Sequence, residues 1–314
     1  MNQIGKIPEK YRDRIIEVVG DDAGGYPTLV VVNAMHGNEV AGVRASRRAY
    51  ISLAAIDGAF HGRVVFVLGN LRAFGVVKRY IDVDLNRIWD EASLQNAPRD
   101  REQESSEEAE RRELLECLEW IEESAEGEMC VLDLHSTSSD SSPFGIAYPS
   151  ARTARLMEAL PLPFVVGLAG KVDGTLLHYC SEQKGYSSII VEGGRHEAAE
   201  TTERLISTIV LVASALGMIS HETFPELPEH RKRLEKLSNG IPPRLEVIYR
   251  HAVEPSDEFK MAPGYLNFQS IAKGEVLARD GRGEIVSPTD GHIFLPLYQA
   301  QGSDGFFIVS PLSD

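Results

Sequence analysis

Residues 28–54 read TLVVVNAMHGNEVAGVRASRRAYISLA. The first seven are mostly apolar or β-branched with no polar alternation, the pattern of a strand buried on both faces. From Glu39 onward the spacing turns helical. A buried strand feeding straight into a helix is the opening unit of an α/β fold with a parallel sheet. At the junction stand His36 and Glu39, three positions apart, and both side chains can ligate a metal.

Working outward, four more apolar runs have the same character: RVVFVLG (63–69), MCVLDLH (129–135), FVVGLA (164–169) and SSIIVEG (187–193). Helical patterns separate most of them. In 107–124, Leu114, Cys117, Leu118 and Ile121 share one face by the i, i+3, i+4, i+7 rule. Another helix is expected over 197–217. Strands alternating with helices predict an α/β class with a mainly parallel sheet covered on both sides. The acidic stretch 101–126 reads as the solvated face of an amphipathic helix.

Asn239-Gly240 and Pro242-Pro243 mark a boundary, after which the chain is turn-rich and strand-like. The expected division is an α/β domain over 1–240 and a smaller β-rich domain over 241–314. GEIVSPTDGHIFL (283–295) resembles the hairpin of biotinyl/lipoyl-type barrels, with Thr289-Asp290 where a carrier lysine would stand. No covalently attached cofactor is expected there.

With 314 residues the chain has room for one large domain or two ordinary ones, and its composition is that of a globular protein. A net charge of −15 argues against nucleic acid or an anionic membrane surface as a partner. MNQIGKIPEKYRDR at the start lacks the apolar core of a signal peptide. The apolar segment 205–219 is too short and too interrupted to cross a bilayer. Cys117, Cys130 and Cys180 are odd in number and widely spaced, so a reducing cytoplasm is expected. A homo-oligomer stays open.

In an open α/β sheet, ligands sit outside the carboxyl ends of the strands. His36 and Glu39 follow the first run, and Asp84, Asn86 and Arg87 of RYIDVDLNRIW lie downstream of the second. His135 and Glu192 end two others. Taken singly, His36 suits a loop cap, Glu39 a first-turn helix residue, Glu192 a turn cap and Asn86-Arg87 a loop tie. Together they fall on one edge. Two histidines and a carboxylate make three ligands for Zn²⁺ and leave the fourth position to water or substrate. The same set also suits Fe(II), Co(II) or Mn(II). Glu192 can move a proton between water and a leaving nitrogen. Arg79 and Arg87 can serve an oxyanion and a substrate carboxylate. Asp84 joins the substrate-binding group by holding Arg79 or Arg87. Asp133, two before His135, points to the same side in a regular strand, either to orient an imidazole or to satisfy backbone donors.

HGNE (36–39), RYIDVDLNRIW (79–89), DLHSTSS (133–139) and VEGG (191–194) occur in an order and spacing that resemble the succinylglutamate desuccinylase/aspartoacylase family. The resemblance implies one zinc per chain on His36, Glu39 and His135, with Glu192 as general acid/base. It implies that Arg79 polarises the scissile carbonyl and that Asn86 and Arg87 hold the α-carboxylate of an N-acyl amino acid. It also implies a zinc-carboxypeptidase-like fold, a mainly parallel or mixed sheet flanked by helices, with 1–240 as the catalytic domain and the β-domain 241–314 capping the active site. Two positions depart from the family. An arginine about ten residues before the catalytic glutamate falls here near Glu182, and a family tyrosine near the C-terminus has only Tyr298 as a rough counterpart.

The expected activity is zinc-dependent hydrolysis of a small N-acyl amino acid or related amide. Two other readings stay open at this point. One is a metallocarboxypeptidase acting on short peptides, which needs the same metal, base and carboxylate clamp. The other is a non-catalytic binding protein that uses the metal pocket to hold a small carboxylate.

Overall fold

The computed structural model describes residues 7–20, 24–56, 59–96, 98, 100–169 and 171–312. Residues 1–6, part of the segment read above for a signal peptide, lie outside them. Strands β1 (Ile15–Val19) and β2 (Thr28–Asn33) precede helix α1 (Val40–Ala54). Strand β3 (Arg63–Leu68) is followed by short helices α2 (Leu71–Gly75) and α3 (Glu91–Gln95) and by the long α4 (Ser106–Glu123). Next come β4 (Met129–Thr137), β5 (Phe144–Ala147), α5 (Ala151–Ala159), β6 (Phe164–Val166), the single turn α6 (Leu176–His178) and β7 (Ser187–Arg195). Helices α7 (Ala199–Ala215) and α8 (Leu227–Ser238) lead to β8 (Arg244–Ala252), β9 (Lys260–Met261) and β10 (Ser270–Ile271). The chain closes with β11 (Val276–Asp280), β12 (Gly283–Val286), β13 (Gly291–Phe294) and β14 (Asp304–Pro311).

Eleven strands make one mixed sheet in the order β1-β3-β2-β4-β7-β5-β6-β8-β14-β13-β10. Its centre, β3-β2-β4-β7, is parallel, whereas β1 and β5 run antiparallel to their neighbours β3 and β7. The unbroken apolar run of β2 follows from its place there, because every one of its positions is buried. Leu29 and Val31 pack in one core layer with Ala45 and Ala49 of α1 and Ile209 of α7. Val30 and Val32 pack in the opposite layer with Leu114, Cys117, Leu118 and Ile121 of α4, the face expected from spacing.

Beyond residue 240 the sheet does not stop. β8 pairs in parallel with β6, and β14 then pairs antiparallel with β8. β9, β11 and β12 form a separate three-stranded antiparallel sheet. The segment read as a biotinyl-type hairpin is divided between the two sheets. β12 pairs with β11, while β13 pairs with β10 and β14. The Asp290 carboxylate accepts from the Lys273 backbone N–H at 2.8 Å.

The acidic helix departs from its sequence reading. Glu107 and Glu110 of α4 are fully buried, as the solvated-face reading does not anticipate. Glu110 receives the Arg14 guanidinium at 2.6 Å and the Arg72 guanidinium at 2.8 Å. Glu107 instead receives backbone N–H groups of a loop, described below. Helical periodicity places these two beside the apolar face, but the arginines and amides that compensate them come from distant parts of the chain.

Cys117, Cys130 and Cys180 are buried and unpaired. Burial pushes the Cys117 and Cys130 thiols up to about 12 and raises Cys180 as well. Since the thiolate is the reactive form, none should react with an aromatic disulfide reagent in the native protein at pH 8. All three should titrate once guanidinium unfolds the chain. Rapid native reaction of any one would contradict this packing.

Candidate active site

His36 and Glu39 sit in the turn between β2 and α1. This turn is packed hard against α2. A Cβ on Gly37 would lie 2.2 Å from the Ala73 carbonyl carbon, so only glycine lets the two backbones approach. The Gly37 N–H donates to the Arg79 carbonyl at 3.1 Å, which ties the turn to the loop that carries Arg79. His135 and Glu192 are direct register partners on the neighbouring parallel strands β4 and β7, at their carboxyl ends.

The side chains of His36, Glu39 and His135 converge, with one ligand atom from each lying within 4.8 Å of the others. Glu39 stands between the imidazoles: Oε1 lies 2.7 Å from His36 Nδ1, and Oε2 lies 3.1 Å from His135 Nδ1. The outer ring nitrogens face aspartates. His36 Nε2 is 3.1 Å from Asp84 Oδ1, and His135 Nε2 is 3.0 Å from Asp133 Oδ2. All three residues are buried.

Burial alone would push the Glu39 carboxyl up, but the two imidazoles outweigh it and hold the group well below the usual carboxylate range. Burial likewise opposes charge on His135, yet Asp133 and Glu39 carry it well above the ordinary imidazole value. Two imidazoles with aspartates at their outer nitrogens and a carboxylate between their inner ones are a donor set suited to a divalent cation. A cation there would take the place of the protons that now hold these groups together.

The loop 79–87 supplies the polar wall. Arg79 Nη2 donates to Asp84 Oδ2 at 2.9 Å, and its Nη1 lies 3.9 Å from Glu39 Oε1. Burial works against the charge of Arg79, but Asp84 and Glu39 raise its pKa on balance. Asn86 accepts from the Leu176 N–H at 2.9 Å, which commits its oxygen and leaves its amide nitrogen available to the cavity. Arg87 Nη2 donates to Asp304 Oδ2 at 2.8 Å. A side chain at Gly174 would strike the Arg87 carbonyl at 2.3 Å, so the segment before α6 also closes on this loop. Beneath the loop, the Glu107 carboxylate accepts from the N–H groups of Ile81 (2.8 Å), Asp82 (3.0 Å) and Val83 (3.2 Å). It also accepts from Asn70 Nδ2 at 3.1 Å.

These groups face a cavity of about 150 Å³. Of the eight residues singled out in the sequence, His36, Glu39, Arg79, Asn86, Arg87, His135 and Glu192 line it. Asp84 is set behind them, between His36 and Arg79. Glu192 Oε2 accepts no hydrogen bond from any described residue. Burial pushes this carboxyl up to about 8. Asp304 and Tyr148, also on the cavity wall, carry no local signal in the sequence. Asp304 reaches Arg87 from 217 positions away, so only strand pairing brings it there. Tyr298 turns elsewhere, its hydroxyl donating to the Ala262 carbonyl at 2.8 Å.

Residues 25–217 match the family model described as the succinylglutamate desuccinylase/aspartoacylase catalytic domain. The chain belongs to this family. A succinylglutamate desuccinylase of Serratia proteamaculans is 27% identical over 273 residues, 83% of this chain and 76% of the relative. One from Pseudoalteromonas atlantica is 26% identical over 84% of this chain and 75% of its own length. Among solved structures, a succinylglutamate desuccinylase/aspartoacylase from Rhodobacter sphaeroides superposes with a TM-score of 0.68 at 16% identity, covering 99% of each chain. Murine aminoacylase 3 superposes at 0.62 with 17% identity, over 91% of this chain and 95% of its own. These structures share the fold. The family hydrolyses N-acyl amino acids. Among the described residues, no helix is long and apolar enough to cross a membrane.

Where the sequence comparison set Glu182 against a family arginine, the structure puts Glu182 on an exposed helical turn, outside the cavity lining. Thr175 and Leu177, a few residues earlier, are the members of this segment that face the cavity.

Proposed function

We propose that this protein is a zinc-dependent deacylase that hydrolyses the amide bond of a small N-acyl amino acid. The observation that carries the reading is the His36–Glu39–His135 cluster, backed by Asp84 and Asp133, opening on a cavity beside the unpartnered oxygen of Glu192. A zinc ion held by the cluster would lower the pKa of a water toward ~7 and polarise the scissile carbonyl. Glu192 takes the proton of the attacking water and passes it to the leaving nitrogen, a transfer suited to a carboxyl poised near neutrality. Arg79, fixed by Asp84, donates to the oxygen that gains charge. Asn86 Nδ2 and the Arg87 guanidinium hold the substrate α-carboxylate.

The C-terminal residues 241–314 act as a cap in this reading. In support, Leu295, Leu297 and Asp304 stand on the cavity wall. A cytoplasmic location is supported by the three unpaired cysteines. The test is amine release from N-acyl amino acids and short peptides, with the zinc-loaded and chelated proteins side by side. Cleavage of acyl amino acids that stops on chelation and returns with zinc is expected. Peptide cleavage alone would replace this reading with a carboxypeptidase.

A further inference from the structure

The cavity has two unlike walls. One is the polar wall of the cluster and the loop 79–87. The other is built from Ile146 of β5 and its register partner Ile190 of β7, with Leu168, Val172, Leu177 and Leu297 around them. Among the described lining residues, only Arg79 and Arg87 bring a guanidinium or ammonium, and both are already paired, with Asp84 and Asp304. Two other cations adjoin the lining without being part of it, and both are engaged. Arg250 Nε donates to Asp304 at 2.7 Å, and Lys171 Nζ donates to the Gly167 carbonyl at 3.0 Å. Besides the metal cluster the described lining thus holds one anion clamp, and no second cation among the described residues there is free to receive a side-chain carboxylate.

We propose that the substrate is an N-acyl amino acid with a single carboxylate and a neutral, apolar side chain. This inference rests on the deacylase reading and names its substrate class. The position of the clamp assigns the apolar wall to the amino-acid side rather than the acyl side. Val172 and Leu177 flank the segment that closes on the clamp, where Gly174 abuts the Arg87 carbonyl and Leu176 donates to Asn86. A substrate held by its α-carboxylate on Asn86 and Arg87 therefore presents its Cα substituent to these residues. An ionised group there would be desolvated with nothing to pair it. The net charge of −15 adds a long-range bias against dianions.

The zinc-loaded enzyme is assayed on N-acetyl-L-leucine, N-acetyl-L-phenylalanine, N-acetyl-L-aspartate, N-succinyl-L-glutamate and N-hexanoylglycine. The expected kcat/KM for the leucine and phenylalanine compounds exceeds that for the two acidic ones by about 100-fold or more. Equal or better use of the acidic compounds overturns the inference and leaves the deacylase intact. A preference for N-hexanoylglycine over N-acetyl-L-leucine overturns it too, by giving the apolar wall to the acyl group.

A binding arm separates failure of this inference from failure of the catalytic reading. Zinc-loaded Glu192→Gln protein is titrated by calorimetry with N-acetyl-L-leucine and N-acetyl-L-aspartate. Tighter binding of the leucine compound supports the apolar pocket even if no turnover is found; equal or weaker binding overturns it. Leu177→Arg should move selectivity at least about tenfold toward N-acetyl-L-aspartate by supplying the absent cation. If that variant does not fold, Leu297→Arg on the half-buried rim provides the same reading. Unchanged selectivity in a folded variant counts against the proposal.

Discussion

Glu192→Gln should lower kcat by about 10²–10⁴-fold, the range for removing a positioned proton-transfer group. Zinc content should not change, because the proposed ligands His36, Glu39 and His135 are untouched. KM should move little, because the proposed carboxylate clamp of Asn86 and Arg87 is intact. The same variant carries a pH signature in the chelated protein. Burial raises the folded Glu192 carboxyl to about 8 from the ordinary 4.5. Between those values the folded protein keeps a proton that the unfolded chain has released. Its contribution is therefore present below pH 4.5, is lost as pH rises toward 8 and is flat above. Glutamine removes that slope, so the stability difference between wild type and variant should change across this window. Unfolding curves from pH 5 to 9 measure it. Wild-type turnover in Glu192→Gln would sink the mechanism.

Glu107→Ala should damage both stability and substrate use, although Glu107 touches no part of the cavity. Its carboxylate collects the N–H groups of Ile81, Asp82 and Val83 and the Asn70 amide. The Asn70 donor is buried and the three backbone donors are part-buried, and a donor left without a partner costs about 1–3 kcal/mol where water cannot reach it. With partial rescue by water, a net loss of about 2–4 kcal/mol is expected. The freed loop carries Arg79, Asp84, Asn86 and Arg87, so kcat/KM should fall by about 10–100-fold, since displacement of ~1 Å at a reacting group has effects of this size. Denaturant unfolding and steady-state kinetics on the same preparation separate the two effects. A stable variant with normal kcat/KM would show that the loop holds its shape without this carboxylate.

The central strands and the helices over 40–54 and 106–123 were legible because their patterns are local: apolar runs, helical spacing and strand-to-helix turns. Strand β1 was not read. It is short, and its central Glu17 is buried with its carboxylate paired to Arg63 of β3 at 2.8 Å. The site was legible to the same depth. Residues at the carboxyl ends of parallel strands share one edge by the topology of the sheet, so His36, Glu39, His135 and Glu192 were visible together.

Three features were decided only by the tertiary structure. Two acidic residues of a charged helix are core members, because their compensating partners lie tens of positions away in sequence. The C-terminal strands extend the main sheet through β6–β8 pairing. The cavity sets the Arg87–Asp304 pair, brought together across 217 positions, against an apolar wall. By itself, the sequence determined which residues are able to do chemistry and on which edge they lie, since side-chain type and local periodicity are properties of the chain. How the charges of the cavity wall pair was decided by long-range packing, because an ion pair depends on separation in space and not along the chain.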